Sequence, residues 1–191
     1  MSARANRRAP PIYTKTGDDG TTGLLFGGRI SKADPIVEVC GALDEATAAL
    51  GLGRSLLEDD ELERVVLDLQ RGLFAAAAEV AANPRARERL VPGISQVTAE
   101  MTATLEQAID MLVAEHPLRP AFVVTGATPA SAALDLARTF LRRAERRLIA
   151  GREGGLTVSA TLIAYMNRAS DLAYALARSA AGERDEPLSH D

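Results

Sequence analysis

The chain has 191 residues, and 22 lysines and arginines against 26 aspartates and glutamates give it a net charge of −4. This length predicts a single domain that can bury a core, and the acidic balance argues against nucleic acid as the main partner. No apolar run approaches the length of a transmembrane helix, so no membrane partner is expected. The one cysteine, Cys40, excludes a disulfide within the chain and fits a reducing cytoplasm, which is the predicted location.

The two ends of the sequence differ in character from its middle. Residues 1–11 carry Arg4, Arg7 and Arg8 but no apolar core, so they are predicted to be a disordered basic tail rather than a secretory signal. Residues 182–191 are predicted to be a disordered C-terminal tail. The single domain is therefore expected to span residues 12–181.

Residues 13–23, Tyr-Thr-Lys-Thr-Gly-Asp-Asp-Gly-Thr-Thr-Gly, form the segment best suited to binding an anion. Its glycines allow backbone N–H groups to turn toward one point, and threonine hydroxyls and one lysine surround that point, as in sites that hold a polyphosphate. The alternative is a solvated hairpin, because Asp19-Gly20 is also a type I′ turn signal. The segment fits neither a Walker A loop nor a dinucleotide-binding fingerprint. Taken alone, it leaves both interpretations open.

Five segments with apolar residues every three or four positions follow, and each predicts a helix. Their predicted bounds are Asp34-Pro35 through Leu50, Asp60 to Asn83-Pro84, Ser95 to His116-Pro117, Thr128-Pro129 to Gly151, and Ser159 to Ala181. Between the third and fourth helices, the run Phe122-Val123-Val124 predicts a buried, extended connector. With aromatic residues at only 4%, the composition favours helix over sheet. The sequence therefore predicts an all-α, five-helix antiparallel bundle.

The fourth helix concentrates positive charge. Arg138, Arg142 and Arg146 recur every four residues and so lie on one ridge, with Arg143 and Arg147 beside it. Like charges at this spacing repel one another, a cost that a bound phosphate would remove, and guanidinium groups suit phosphate oxygens. The alternative is a solvated basic face, or a ridge paired with acids on neighbouring helices.

Two further polar features interrupt apolar helix surfaces. On the first helix, Asp44-Glu45 breaks an apolar stretch and could pair with the arginine ridge. On the fifth, a polar stripe is either the wall of a site or a hydrogen-bonded seam between helices, and the pattern alone does not decide. The stripe consists of Asn167, Asp171, Tyr174 and Arg178.

No residue set in the sequence predicts a metal centre or a catalytic triad. The two histidines, His116 and His190, fall at a helix end and in a tail. They form neither the Glu-x-x-His pairs of a ferritin-like metal bundle nor a zinc spacing or a Ser-His-Asp arrangement. Any chemistry is therefore expected to depend on binding, positioning and charge neutralisation and not on an amino-acid nucleophile, and a nucleophile brought in by a substrate would satisfy this.

Three separated motifs together resemble the PduO-type ATP:cob(I)alamin adenosyltransferases. They are residues 13–22, the Arg-Arg-Ala-Glu-Arg-Arg run 142–147 and the Tyr-Met-Asn-Arg-Ala-Ser-Asp run 165–171. The similarity extends in the right order from Ile12 to Arg178. Residues 31–35 and Leu43-Asp44-Glu45 also look like the family's entry to its first helix. The resemblance implies a cobalamin-adenosyltransferase-like bundle that forms a homotrimer with active sites between subunits.

The resemblance also implies roles for particular residues. In the family the N-terminal loop wraps the triphosphate of ATP, so residues 12–30 are expected to be the ATP-binding loop. The residues implied to bind ATP are Tyr13, Thr14, Lys15, Gly17, Asp18, Gly20, Thr22, Lys32, Arg142, Arg143, Glu145, Arg146 and Asn167. Mg²⁺ is expected to arrive with ATP, because no cluster of side chains predicts a metal site.

The implied reaction joins ATP to a corrinoid. Cobalamin is expected beside Phe122, an aromatic residue that in relatives helps hold the cobalt without its lower axial ligand. Cob(I)alamin then attacks the ribose 5′ carbon and triphosphate leaves, while the protein orients the reactants and stabilises charge. The residues implied to act in this step are Arg142, Arg146, Asp44 and Phe122, and Asp44 is expected to pair with Arg142 across the trimer interface.

Three departures from the family pattern lie nearer the corrinoid side than the ATP side. The chain has Thr125-Gly126-Ala127 where Pro-Gly-Gly is usual, Thr47 where asparagine is common, and Met166 and Ala169 in place of leucines. One alternative is therefore a trimeric ATP-binding sensor or corrinoid carrier without turnover, and another is a helical scaffold protein. A corrinoid reductase or a B12-dependent mutase is a candidate docking partner, and the sequence does not indicate which.

Overall fold

The computed structural model describes residues 12–188, in which five α-helices carry most of the chain. The helices are α1 (Pro35–Ser55), α2 (Asp60–Ala81), α3 (Ala99–Glu115), α4 (Pro129–Glu153) and α5 (Ala160–Ala181). Strands β1 (Thr21–Gly23) and β2 (Arg29–Ser31) form one antiparallel pair, and β3 (Val123–Val124) and β4 (Glu186–Pro187) form another. Two 3₁₀ turns cover Pro84–Arg89 and Gly182–Arg184. The prediction of a mostly helical chain is confirmed.

Helices α1 and α4 run antiparallel along most of their length. Gly53 near the end of α1 packs directly on Leu134 near the start of α4. At the other end, the Arg147 Nε of α4 lies 3.1 Å from the Glu38 Oε1 of α1. The first half of α1 and the second half of α4 therefore share one end of the molecule, which we call the loop end because residues 12–34 lead into it.

Helix α5 is the central helix, buried along most of its length. The apolar residues that recur every three or four positions on α4 and α5 are all buried, namely Leu134, Ala137, Leu141, Ala144, Leu148, Leu162, Met166, Ala169, Ala173 and Leu176. Small residues among them allow the helices to approach closely. None of the helices within residues 12–188 is long and apolar enough to cross a membrane.

Glu79 of α2 is a fully buried carboxylate that connects three segments of the fold. It accepts hydrogen bonds from the Val97 N–H and the Ser159 hydroxyl, both at 2.9 Å, and from Arg87 at 3.3 Å. A buried charge needs such partners, because removing it from water is costly unless hydrogen bonds compensate. Since Ser159 is the N-cap of α5, Glu79 also fixes where the central helix begins.

The C-terminal segment differs from the predicted disordered tail 182–191. Its described part, residues 182–188, forms a 3₁₀ turn and then β4, which pairs with β3. The buried guanidinium of Arg178 bonds Asp185 at 2.6 Å and also pairs with Asp135 of α4. Burial raises the pKa of both aspartates, and the arginine charge opposes that rise. At Arg178 the polar stripe of α5 is therefore a seam between helices. Residues 189–191 and the predicted tail 1–11 lie outside the described residues.

The connector at Phe122 is extended as predicted, but the prediction that it is buried is wrong for the single chain. Val123 and Val124 pair with β4, whereas the side chain of Phe122 is 85% exposed. Alternate side chains of a short edge strand point to opposite faces, and only Val123 turns inward. An exposed phenylalanine at this position is available to a ligand or to another subunit.

Two local predictions are also corrected, together with the alternative that Asp19-Gly20 forms a hairpin turn. The N-cap of α3 is Thr98, not Ser95, whose hydroxyl instead accepts a bond from the Val91 N–H. Helix α4 continues past Gly151 to Glu153, because Gly151 is buried against Leu156 and does not end the helix. The turn between β1 and β2 is formed by residues 24–28, so Asp19-Gly20 precedes the hairpin instead of forming its turn.

Candidate active site

The glycine-rich loop, residues 13–20, lies before β1 and is folded by two consecutive turns. The Asp18 N–H donates to the Lys15 carbonyl at 3.3 Å, and the Gly20 N–H donates to the Gly17 carbonyl at 3.2 Å. Lys15 and Gly20 both have left-handed backbone, with φ of 61° and 81°. This conformation costs a lysine about 1–2 kcal/mol. Strain of this kind collects at ligand sites, where the surroundings fix the backbone for binding.

Arg29 of β2 holds this loop against the hairpin. Its guanidinium donates to the Thr21 hydroxyl at 2.6 and 2.9 Å and also bonds the Thr16 carbonyl. The Asp19 carboxylate lies 3.7 Å from the same guanidinium and accepts bonds from the Thr21 hydroxyl and N–H at 2.7 and 3.0 Å. These Thr21 bonds, with a smaller effect from Arg29, hold the pKa of Asp19 below its usual value. Asp19 is thus committed to shaping the loop.

The side chain of Lys32 lies beside Gly17 of the loop. A methyl group placed on Gly17 would be 3.3 Å from the Lys32 ammonium nitrogen and 3.1 Å from the Thr21 carbonyl oxygen. The Lys32 N–H donates to the Gly20 carbonyl at 2.9 Å, so the residue after β2 is tied to the end of the loop. Glycine at position 17 therefore leaves the room in which the lysine ammonium approaches the loop backbone.

The four arginines of the run 142–147 on α4 divide into two that are paired with α1 and two that are not. Arg143 pairs with Glu45, and Arg147 pairs with Glu38. Arg142 and Arg146 are exposed and have no ion-pair partner within residues 12–188. These two lie four residues apart and so face the same way. We call them the free arginine pair.

Arg138, the first arginine of the ridge, is not part of this pair. Its guanidinium carbon lies 5.4 Å from the centre of the Tyr174 ring on α5. It therefore stacks on the polar stripe of the neighbouring helix instead of facing the loop end.

Asn167 connects α5 to the arginine segment. Its side-chain amide donates to the Glu145 Oε1 of α4 at 3.1 Å, and the resemblance implies that both residues bind ATP. Asn167 is exposed, whereas Arg178, eleven residues further along the same stripe, is buried. The stripe therefore faces solvent at its start and forms an interhelical seam at its end.

The predicted site residues fall into two groups in one chain. The loop, Lys32 and the free arginine pair lie toward the loop end. Phe122 lies near the opposite end, where the start of α4 meets the end of α5. Arg146 is 18 residues beyond the N-cap Thr128, which corresponds to about 27 Å along the helix.

Asp44 is exposed on α1, and no ion pair joins it to Arg142 within the described part of the chain. On the same helix, the pKa of Cys40 is raised from 9.0 to about 11, mainly because the thiol is buried and also because of the negative charge of Asp44. The half-buried thiol therefore stays protonated at neutral pH and is a poor nucleophile.

Two residues that shape the site had not been predicted from sequence. Arg29 could not be predicted, because a single arginine after Gly27-Gly28 belongs to no motif or regular spacing that would mark it as part of a site. Glu38 gave little signal because an acidic residue in the first turn of a helix is usual whatever it contacts. Both act through partners far away in the chain, which local spacing does not reveal.

Comparison with known proteins assigns this arrangement to a family. The family model described as cobalamin adenosyltransferase matches residues 12–180. The corrinoid adenosyltransferase PduO of Citrobacter freundii is 40% identical over 167 residues, which cover 87% of this chain and 49% of that protein. A second corrinoid adenosyltransferase of Citrobacter freundii is 40% identical over 168 residues and is covered to 93%. The chain thus spans about half the length of its PduO relative and nearly all of the shorter one.

A solved structure has the same fold. It is a phenylalanine-to-alanine variant of a PduO-type ATP:corrinoid adenosyltransferase from Lactobacillus reuteri, complexed with cobalamin and ATP. It superposes with a TM-score of 0.82 at 29% identity and covers 94% of this chain and 100% of its own. Because the family model spans nearly every described residue and the fold agrees over the same range, this chain belongs to the cobalamin adenosyltransferase family.

Proposed function

We propose that this protein transfers the 5′-deoxyadenosyl group of ATP to the cobalt of cob(I)alamin, giving adenosylcobalamin and triphosphate. The observation that carries the proposal is the free arginine pair, which lies toward the loop end while its neighbours Arg143 and Arg147 are neutralised by α1. Two unpaired like charges one turn apart repel each other unless an anion lies between them. A triphosphate is an anion of suitable size and charge.

The loop and the free arginine pair would hold ATP from two sides. Thr14, Lys15, Gly17, Asp18, Gly20 and Thr22 would wrap the phosphates, with Tyr13 beside them and Lys32 reaching in. Arg142 and Arg146 would bind phosphate oxygens, because a guanidinium offers two parallel donors to such a group. The Asn167–Glu145 hydrogen bond would fix a further polar contact, and Arg143 would support the helix through Glu45.

Mg²⁺ would reach the site on the phosphates of ATP. The exposed carboxylate of Asp18 fits this role better than that of Asp19, which is already bonded to Thr21 and Arg29. Magnesium usually keeps several waters and takes few protein carboxylates when it binds with substrate phosphates. When bound, it would neutralise part of the phosphate charge.

The chemistry needs no nucleophile from the protein. The electron pair of the reduced cobalt forms a bond to the ribose 5′ carbon, and the carbon–oxygen bond breaks with its electron pair leaving on triphosphate. No proton has to move in this step. What the chain supplies is orientation of the two substrates and donors at the oxygens where negative charge develops.

A complete site would require a neighbouring copy of the chain. Phe122 lies at the Thr128 end of α4, and Thr128 is about 27 Å along the helix from Arg146, so the two residues of one chain lie too far apart to form one site. We therefore propose a homotrimer in which Phe122 borders the corrinoid and Asp44 meets Arg142 between subunits. We also propose that residues 12–181 act as one catalytic domain, and that the protein works in the cytoplasm.

The test is to mix the protein with ATP, Mg²⁺ and chemically reduced cobalamin and to follow the corrinoid spectrum. Samples without protein and without ATP are the controls, and ATP binding is measured separately by calorimetry. Formation of adenosylcobalamin that needs both protein and ATP supports the proposal. ATP binding without product would make the protein a sensor or carrier, and no ATP binding would overturn the nucleotide site itself. Sedimentation of the same sample measures whether the trimer forms.

A further inference from the structure

The hairpin next to the loop is attached to the end of α2 by a short bridge between Leu25 and Ala82 and by the side chain of Asn83. The Asn83 N–H donates to the Leu25 carbonyl at 2.9 Å, and the Leu25 N–H donates to the Ala81 carbonyl at 2.9 Å. The Asn83 side-chain amide donates to the Gly27 carbonyl at 2.8 Å. Asn83 is 56 residues from Gly27 in sequence, so this bond joins separate parts of the chain.

The side chain of Asn83 has two different partners, one on each atom of its amide. While Nδ2 donates to Gly27, Oδ1 accepts the Arg85 N–H at 2.9 Å and so caps the 3₁₀ turn that follows α2. Only a residue that both donates and accepts can make these two bonds. An aspartate at this position would keep the cap and lose the bond to the hairpin.

The turn of the hairpin fits closely around this amide. Gly28 has a φ of 90°, and a methyl group placed on it would lie 3.0 Å from Asn83 Nδ2. Phe26 also has left-handed backbone, with a φ of 68°. Its ring centre lies 4.5 Å from the guanidinium carbon of Arg89, which belongs to the same 3₁₀ turn. The Asn83 amide and the Phe26–Arg89 contact therefore add to the backbone bonds of Leu25 that hold residues 24–28 on the end of α2.

The other end of the hairpin carries the groups assigned to phosphate. Arg29 bonds Thr16 and Thr21, and the Lys32 N–H bonds the Gly20 carbonyl. A shift of the hairpin on α2 would therefore move Lys32 and residues 16–20 together. The helix that presents the free arginine pair would not move with them, because α4 packs on α1.

We propose that Asn83 is a positioning residue of the nucleotide site, and that it acts through the hairpin without touching the substrate. This inference rests on the proposed function. Together with the backbone bonds of Leu25, the amide fixes residues 24–28 on α2, and so contributes to the distance between the loop and the free arginine pair and to how well both can hold one triphosphate.

The variant N83D tests this role, because it removes the donor to Gly27 and keeps the acceptor to Arg85. Loss of one such hydrogen bond should weaken ATP binding by about threefold to tenfold. The KM for ATP should rise in the same proportion, with the KM for cobalamin unchanged. Amide exchange of residues 16–32 should be faster than in the wild type.

The matched control is Q70E, since the Gln70 amide donates to the Thr47 carbonyl at 3.0 Å between α1 and α2, away from the hairpin. It should lower the melting temperature as much as N83D does and leave ATP binding unchanged. A second variant, R89A, removes the exposed contact to Phe26 and should weaken ATP binding by about twofold to fivefold.

The outcomes separate this inference from the proposed function. A weakened ATP affinity in N83D and R89A but not in Q70E supports the positioning role. If N83D does not fold, R89A decides. Wild-type ATP affinity in the variants overturns the role of Asn83 while the nucleotide site stands. Absence of ATP binding in the wild type overturns both.

Discussion

Replacing Arg146 by alanine tests the nucleotide site at the residue on which the proposal most depends. Arg146 is exposed and has no ion-pair partner in residues 12–188, so its loss should not open a cavity or leave a buried charge. Repulsion with Arg142 would fall, which favours the helix by about 0.2–0.5 kcal/mol. The melting temperature of the variant should therefore equal or slightly exceed that of the wild type.

ATP binding should respond in the opposite direction. A hydrogen bond to a charged group contributes about 1.5–3 kcal/mol, which corresponds to a loss of about 10-fold to 150-fold in ATP affinity. Calorimetric titration with ATP measures this directly. The loss should be smaller at high salt, because screening weakens the wild-type contact as well.

Arg147→Ala is the matched control, on the same turn of α4. It removes an exposed pair with Glu38, which is worth at most about 1 kcal/mol of stability, and it should leave ATP affinity within about twofold of the wild type. Equal losses of affinity in the two variants would show that ATP responds only to the net charge of α4. Wild-type affinity in Arg146→Ala would show that Arg146 faces solvent in the complex.

Four further predictions concern other parts of the site. Gly17→Ala should weaken ATP binding by about threefold to tenfold, because the added methyl group would displace the ammonium group of Lys32. An unchanged affinity in an ATP titration would contradict this. Phe122→Ala should impair adenosylation of the corrinoid and leave ATP affinity and melting temperature unchanged, because the residue is 85% exposed and its side chain fills no core. A parallel loss of ATP affinity and of corrinoid adenosylation would refute this. Asp44→Asn and Arg142→Ala should each weaken the trimer in sedimentation, and the double variant should lose less than the sum of the two, whereas additive losses would mean that they do not meet. Cys40 should react slowly with iodoacetamide at pH 8, and labelling as fast as in the unfolded chain would contradict its burial. The free energy of unfolding should fall as pH rises from 9.0 toward about 11, because the thiol ionises at lower pH in the unfolded chain than in the folded one.

The helices could be predicted because their start signals are local. Asp34, Thr128 and Ser159, at which three helices are predicted to begin, are the N-caps of those helices, and each accepts a bond from a backbone N–H in the first turn. Ser95 failed because Thr98, three residues later, is an equally good cap, and the turn at residues 91–96 takes up the serine. The strand at Glu186–Pro187 could not be predicted, because it exists only through pairing with Val123–Val124.

The residue types that form the site could be predicted from the sequence, but the ion pairs among these residues could not. The spacing of the α4 arginines indicated an anion, but their spacing alone did not show that Glu38 and Glu45 pair with Arg147 and Arg143, whereas Arg142 and Arg146 have no ion-pair partner among residues 12–188. That division depends on how α1 and α4 pack. The role of Arg29 likewise depends on the hairpin, which brings it back to Thr16 and Thr21. The family resemblance supplied roles that neither charge nor periodicity could.

The pairing of α1 with α4 has a consequence for synthesis on the ribosome. Glu45 and Arg143, which join these helices, are 98 residues apart in the sequence. At bacterial and eukaryotic translation rates, the second residue follows the first by about 5–20 s. During that interval the apolar face of α1, which includes Val39, Leu43, Ala46 and Leu50, has α2 as a partner but lacks the helix against which it packs most extensively. This face is therefore the surface of the nascent chain that a chaperone would be expected to cover, until α4 has emerged.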